Sequence, residues 1–325
     1  MTEVESRPRV IAPVLTLFFL APFVAEFLLG NMAIDALPAI AVLAPLYGGG
    51  ALLVREMARR GGGGWRSIFL LALAYGLVEE GLAIQTLFNP NYFGLHLLDE
   101  APVPALGMGA WWTLFVLTLH TVWSITVPIA ITEALFPARA RSPWLGRASL
   151  SFVAVLYLAG GALVYVNFHR HDAFRASPAQ LAGTVLAIAA AIAAARLRRA
   201  PPPVDERPPP SPWLVGATAL LAGLAFMAPH EIIRGWPLVA WYLGLYAAVA
   251  GVLRRWSRRR AWSAVHETAT AAGALLTYAI VAFPAEPIVG SKGSTDLIGN
   301  GIFAALAVVL LAVAFRRVSG RRGAA

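Results

Sequence analysis

The chain alternates between long apolar runs and short polar connections. Each run is close to the ~20 residues that an α-helix needs to cross ~30 Å of hydrocarbon. The pattern predicts an all-α, polytopic membrane protein with about ten transmembrane helices, the first retained rather than cleaved as a signal peptide. The ten segments are 11–30, 37–55, 67–87, 111–136, 149–167, 179–196, 213–229, 236–253, 263–283 and 298–315.

Basic residues are divided unequally between the two sets of connections. If the N-terminus is placed in the cytoplasm, 22 of the 26 lysines and arginines fall in cytoplasmic segments. The outer segments hold only Arg170, Arg175, Arg234 and Lys292. Because positive residues are retained on the cytoplasmic side, this distribution predicts a multi-pass protein of the cell membrane with both termini cytoplasmic.

Composition supports the same class of protein. Hydrophobic residues make up 58% of the chain and charged residues 13%, against about 25% charged in a soluble domain. The net charge of +9 would suit nucleic acid, but arginines placed on one side of a membrane anchor loops at anionic lipid. The expected partner is therefore the lipid bilayer and not nucleic acid. The absence of cysteine excludes disulfides, thiol nucleophiles and Cys-ligated zinc.

One low-complexity stretch divides the chain. Residues 198–212 are rich in proline, which favours an extended spacer over a packed core. The sequence therefore predicts a membrane domain at 1–197 with spans one to six, a cytoplasmic linker at 198–212, and a membrane domain at 213–325 with spans seven to ten.

The candidate chemistry lies in the third and fourth spans. Glu79 and Glu80 stand about 12 residues into the third span, ~18–20 Å along it and slightly beyond the membrane midplane. His120 stands nine residues into the fourth span, at a similar depth. Since consecutive helices are usually neighbours, the three side chains are predicted to share one buried site. Adjacent helical residues point ~100° apart, so one glutamate is expected to face His120 and the other a different neighbour.

Such a group is a proton-handling arrangement, and we assign the catalytic role to Glu79, Glu80 and His120. Further polar residues near the same level are expected to support the site. They are Glu26, Gln85, Trp123 and Ser124.

Three further features lie near the candidate site or in the same spans. Arg55 with Glu56, and also Glu133, are expected at the membrane interface, because they lie at the inner ends of their spans. The outer loop 88–110 connects the two site helices, and its length favours a lid or a re-entrant segment. Pro128 is expected to kink the fourth span.

The glutamate pair followed by a histidine on the next span resembles the CAAX-protease and bacteriocin-processing family of glutamate intramembrane proteases. By this resemblance, Glu79 and Glu80 match the paired-glutamate motif and His120 the first histidine. A glutamate would then activate water for peptide hydrolysis. The family's arginine and phenylalanine positions are occupied here by Ile84 and Val116, and no later histidine fits the second histidine position.

Three functions follow from these residues. The first is an intramembrane hydrolase, an intramembrane peptidase by the resemblance, in which a glutamate is the general base for a membrane-embedded peptide or small molecule. The second is a proton-coupled transporter, with Pro128 and the Gly48–Gly50 run marking broken helices. The third is a non-catalytic scaffold or assembly factor, whose polar groups fix helix packing.

The sequence leaves open whether the protein is an enzyme and which cofactor it uses. It also leaves open whether a metal is bound, because Glu79, Glu80 and His120 give at most three ligands and a zinc site needs one more group.

Overall fold

The computed structural model describes residues 8–197 and 203–320. Residues 1–7, 198–202 and 321–325, which belong to the predicted termini and linker, lie outside the described residues. The described chain folds into helices joined mostly by short connections. Their bounds are α1 Pro8–Pro22, α2 Ile40–Arg60, α3 Trp65–Leu77, α4 Ala110–Thr118, α5 Val127–Leu135, α6 Arg147–His171, α7 Pro178–Arg196, α8 Pro212–Met227, α9 Gly235–Trp256, α10 Ala264–Val281 and α11 Ser294–Gly320.

Each of the ten predicted apolar segments contains a helix. The fourth segment contains both α4 and α5, which belong to one continuous helical stretch, Ala110–Leu135. The all-α, multi-pass class is thereby confirmed. Strand within the described ranges is confined to one hairpin, β1 Pro102–Val103 paired with β2 Met108–Gly109. Seven helices are long and apolar enough to cross a membrane, and α8 is a shorter apolar helix. The seven are Val10–Phe27, Ile34–Arg60, Ala110–Leu135, Arg147–His171, Pro178–Arg196, Gly235–Trp256 and Ser294–Gly320.

The arginine-rich connections meet at one end of the bundle. The guanidinium of Arg66 donates to the carbonyl of Leu197 at 3.1 Å, and that of Arg317 donates to the carbonyl of Leu135 at 2.9 Å. The other connections meet at the opposite end, where the amide of Ile288 donates to the carbonyl of Asn31 at 2.8 Å. The helices therefore alternate in direction as predicted. Which end faces the cytoplasm stays a prediction.

Helices from both predicted domains share one hydrophobic core. Phe23 of the first helix packs edge-on against Phe303 of α11, with ring centroids 5.4 Å apart. The indole of Trp123 stacks on the ring of Tyr278 in α10 at 4.9 Å. The region 213–325 thus packs directly against helices of the first region, while the division into two domains stays a prediction.

The described part of the linker is not helical and lies against the turn after α9. The amide of Asp205 donates to the carbonyl of Arg258 at 3.0 Å, and the amide of Arg260 donates to the carbonyl of Asp205 at 3.0 Å. The Arg207 guanidinium hydrogen-bonds to the Asp205 carboxylate and so lowers the pKa of Asp205 to about 2. Helix α8 begins after Ser211, whose hydroxyl accepts from the amide of Leu214.

The glycine run does not break α2, contrary to the expectation under the transport hypothesis. Helix α2 is continuous, and a Cβ added at Gly48 would lie 2.0 Å from the carbonyl oxygen of Phe18 in α1. A Cβ added at Gly50 would lie 2.3 Å from the ring of Tyr75 in α3. These glycines serve close approach of neighbouring helices rather than an unwound segment.

A buried ion network lies near the arginine-rich end, where the sequence predicted interfacial groups. Arg55 Nε lies 3.0 Å from Glu133 Oε1, and Arg59 Nη2 lies 2.5 Å from Glu133 Oε2. Arg55 Nη1 also pairs with Glu56 Oε1 at 3.0 Å, and its guanidinium stacks over Trp144. Arg55 and Glu56 are fully buried. The predicted ion pair exists, but it belongs to the protein interior.

The close contact at Gly48 predicts that Gly48→Ala is destabilising. The added methyl group meets backbone rather than a flexible side chain, so the expected cost is at least ~1–3 kcal/mol, as for overpacked cores. Gly244→Ala in α9 is the control, because a Cβ there meets nothing within 4 Å. Thermal unfolding in detergent should show a lower midpoint for the first variant only; equal midpoints would contradict the close approach of α1 and α2.

The ion network predicts a large effect of Glu133→Gln. Arg55 and Arg59 would lose a shared carboxylate in a buried position, and uncompensated buried charge costs about 3–5 kcal/mol. The control is Glu267→Gln, which removes a partly exposed pair with Arg141 at 3.2 Å and should cost about 0–1 kcal/mol. Reversible unfolding in mixed micelles measures both. Similar free energies of unfolding for the two variants would show that the network contributes little.

Candidate functional site

The buried ionisable residues lie where three helices change their winding. Helix α1 continues into a π-helical segment at Phe23–Phe27, α3 continues into one at Val78–Ala83, and α4 leads into one at Leu119–Thr126. The amide of Leu28 donates to the carbonyl of Phe23, and that of Ile84 donates to the carbonyl of Glu79, each across five residues. These are the only π-helical segments in the described ranges, and such segments are frequent at functional sites.

The imidazole of His120 lies between two carboxylates. Nε2 is 2.8 Å from Oε1 of Glu80, and Nδ1 is 3.1 Å from Oε2 of Glu79. Exposure is 8% for His120, 1% for Glu79 and 4% for Glu80. The predicted meeting of the three side chains is confirmed. The expected division is wrong, because both glutamates face the same histidine, whose ring carries nitrogen atoms on two sides.

Glu80 and Glu79 are held differently. The Glu80 carboxylate accepts from His120 through Oε1 and from the hydroxyl of Thr86 through Oε2. Thr86 in turn accepts from the indole nitrogen of Trp112 at 3.1 Å. Oε2 of Glu79 is buried and has no hydrogen-bond partner within the described residues. Glu80 is thus held through both oxygens, whereas Oε2 of Glu79 lies 3.1 Å from Nδ1 of His120 without hydrogen-bond geometry. The hydroxyls of Tyr75 and Tyr47 lie near the same carboxylate.

Two of the four supporting residues border this group. Ser124 Oγ lies 3.2 Å from Nδ1 of His120. Glu26 is reached through Tyr47, whose hydroxyl donates to Glu26 Oε1 at 2.6 Å and whose ring stacks on the His120 ring at 6.2 Å. Oε2 of Glu26 accepts from the Asn31 amide at 3.1 Å. Both oxygens of Glu26 are therefore occupied.

The other two supporting residues hydrogen-bond elsewhere. Gln85 accepts from the amide of Ala176 at 2.7 Å and donates to the carbonyl of Leu82, so it connects the end of the π-helical segment to the chain before α7. Trp123 donates to the carbonyl of Ala274 in α10 at 2.7 Å.

The residues that surround the group are ones that the sequence pattern does not single out. Tyr47 and Tyr75 flank the His120 ring, and Thr86 with Trp112 supports Glu80. Tyrosines in an apolar helix carry no signal of their own. A Cβ added at Gly76 would lie 3.1 Å from Cβ of His120, so this glycine allows α3 and the Leu119–Thr126 segment to approach.

The chain between Ala83 and Ala110, which contains the predicted loop 88–110, begins at the group itself. Its first residues are buried, and Asn89 donates to Asp172 at 2.6 Å. It also contains every non-glycine residue with positive φ in the described ranges. They are Gln85, Phe93, His96 and Ala101. Such backbone strain tends to occur at functional sites. The lid stays a hypothesis.

A metal could be held by Glu79, Glu80 and His120, because each offers one donor atom and these atoms lie within 4.8 Å of one another. Imidazole and carboxylate donors suit zinc and other transition-metal ions. The arrangement can otherwise hold and move protons, since it combines acids with a base in a site shielded from water.

A family model covers nearly the whole chain. The model of an uncharacterized membrane protein family matches residues 15–322. The chain belongs to this family. No curated protein and no solved structure matches it.

The resemblance to the CAAX-protease and bacteriocin-processing family is therefore wrong, because the matching family is a different one. The resemblance rested on two glutamates and one histidine. Any buried acid–base group built from two neighbouring helices would give that pattern, and the residues four positions away did not fit.

The pairing of Glu80 with His120 predicts strong coupling between the two residues. In a double-mutant cycle of Glu80→Gln and His120→Ala, we expect an interaction energy of about 1.5–3 kcal/mol, as for a hydrogen bond to a charged group. Glu80→Gln combined with Glu267→Gln is the control and should be additive within ~0.5 kcal/mol, since the two residues share no contact. Unfolding free energies in mixed micelles provide the measurement. Full additivity of the first pair would refute the contact.

Proposed function

We propose that the protein is an intramembrane hydrolase that cleaves an acyl bond, amide or ester, of a membrane-embedded substrate. The supporting observation is Oε2 of Glu79, a buried carboxylate oxygen that makes no hydrogen bond within the described residues and lies 3.1 Å from an imidazole that a second carboxylate holds in place. Both oxygens of Glu80 already accept a hydrogen bond, which makes Glu80 the weaker base of the two. Glu79 is therefore the base and Glu80 the residue that orients His120.

The reaction needs three proton transfers. Glu79 takes a proton from water as the water oxygen bonds to the acyl carbon. His120 gives a proton to the leaving nitrogen or oxygen as its bond to that carbon breaks, and Glu79 returns the first proton to the ring. The products are a carboxylic acid and an amine or alcohol. A base placed in this way contributes typically ~10²–10⁴-fold in rate.

The surroundings favour a substrate that resides in the bilayer. The group lies within apolar helices, and its nearest irregular segment begins at Gln85 and carries the strained residues described above. Movement of this segment would give lateral access to the carboxylates while excluding bulk water. A membrane-embedded peptide or an acylated small molecule fits such access.

Proton-coupled transport is the second candidate. The observation in its favour is the succession of Glu26, Tyr47 and His120. It extends the titratable groups from the π-helical segment after α1, across α2, to the segment after α4. Intramembrane carboxylates in contact with a histidine are typical of proton relays. Hydrolysis is preferred because both oxygens of Glu26 are already occupied and α2 is unbroken.

Glu79→Gln tests the proposed function. Reconstituted protein is assayed with fluorogenic single-span peptides and fluorogenic acyl esters, and the variant should lose at least ~10²-fold of the hydrolysis rate. Asp296→Asn, which changes another buried acid without contact to the group, is the control and should keep the rate.

Two outcomes would overturn the proposal. If wild-type protein hydrolyses no probe but shows solute flux driven by a pH gradient in the same vesicles, the transporter replaces it. If neither activity appears and the variants change only thermal stability, a non-catalytic scaffold function replaces the proposed hydrolase function.

A further inference from the structure

Two electron-rich atoms face each other in the Glu79–His120 contact. Because Nε2 of His120 lies against the Glu80 carboxylate, which can only accept a hydrogen bond, the ring proton belongs on Nε2. Nδ1 then carries a lone pair, and its polar neighbours include Oε2 of Glu79 at 3.1 Å and Oγ of Ser124 at 3.2 Å. No hydrogen bond joins Nδ1 to Oε2 of Glu79 in the described structure. A cation between the two atoms would replace their mutual repulsion by attraction to the cation.

We propose that Nδ1 of His120 and Oε2 of Glu79 bind a divalent transition-metal ion, of which Zn²⁺ is the best fit. Two ligands of a tetrahedral zinc ion, each about 2.0–2.1 Å from it, lie about 3.3 Å apart. The observed 3.1 Å separation is close to this value. The orphaned Oε2 of Glu79, on a side chain only 1% exposed, is an observation independent of the clustering of the residues.

Glu80 would support the histidine ligand without binding the ion itself. A metal-bound histidine usually donates its other ring N–H to a carboxylate, which fixes the ring and makes the ligand more basic. Glu80 holds Nε2 in this way, and Thr86 holds Glu80. Ser124 Oγ, 3.2 Å from Nδ1, adds an oxygen donor beside the ion position.

Charge also favours a divalent ion. Two ionised carboxylates with a neutral imidazole carry a charge of about −2, which is costly to bury in a membrane. One divalent cation balances it. The nitrogen ligand selects against Mg²⁺ and Ca²⁺, which prefer oxygen ligands alone. Glu26 is no rival ligand, because Tyr47 and Asn31 occupy both of its oxygens.

This inference rests on the residues of the proposed hydrolase and changes their roles, because with the ion bound Oε2 of Glu79 and Nδ1 of His120 are ligands rather than base and acid. Binding is measurable without turnover. A zinc ion at this position would supply an electrophile for the acyl oxygen and a nucleophilic water. A proton on Nδ1 would relieve the same repulsion, and the measurements below separate the two.

The test is metal content and metal affinity of the full chain in detergent. Elemental analysis of protein purified without chelator should give about one Zn²⁺ per chain. Glu79→Gln and His120→Ala should lose the ion, and Asp296→Asn should keep it. Thr86→Val removes the support of Glu80 at nearly constant volume and should weaken affinity by about 10–100-fold. Chelator-treated protein loaded with Co²⁺ should show visible absorption bands of a bound tetrahedral ion, absent in Glu79→Gln.

Other results would overturn the inference. They are a wild-type protein that neither contains zinc nor binds Co²⁺, or binding that is unchanged in Glu79→Gln, a variant of the same shape. The proposed function fails separately. If zinc binds as described but no probe is hydrolysed, only the proposed hydrolase function is contradicted. If a chain that binds no metal hydrolyses a probe, only the proposed metal site is contradicted.

Discussion

The imidazole of His120 between the carboxylates of Glu79 and Glu80 is the contact on which the arrangement of the first helices depends. Burying ionisable groups among apolar helices is costly unless each group meets a partner. One ring with nitrogen atoms on two sides meets two acids at once. Helices α3 and α4 must therefore lie close and in a fixed register, and Gly76 leaves the room that this requires.

The side chains that meet at His120 lie where the helices depart from α-helical geometry. A regular helix would direct adjacent side chains ~100° apart, which separates Glu79 from Glu80. Both acids nevertheless reach the same ring, one at each nitrogen, and they do so where the winding is looser, at Val78–Ala83 and Leu119–Thr126. The third loosened segment places Glu26 against Tyr47, and thereby against the other face of the histidine.

Much of this architecture can be predicted from the sequence, since the bilayer sets helix length and makes each span an apolar run. The depth of Glu79, Glu80 and His120 followed from counting residues, and their contact is confirmed. The π-helical segments could not be predicted, because no residue type marks them. The contact between Thr86 and Trp112 could not be predicted. Thr86 lies at the start of the irregular segment and Trp112 in the first turn of α4 at its end, and no periodicity describes the path of the chain between them. Glu133 was placed at the interface because its distance from the helix end suggested water, whereas its partners in α2 bury it.

The buried ion network makes the two ends of the bundle differ in how they are held. Near the arginine-rich end, Arg55 and Arg59 join α2 to α5 through charged, multiply bonded contacts. Near the opposite end, the segment after Ala83 is held by ring stacking of Tyr92 on Phe168 and by single hydrogen bonds such as that of Asn89 with Asp172. Contacts of α2 with α5 are therefore charged and share one carboxylate, whereas the segment after Ala83 is held by separate contacts that each involve one pair of side chains.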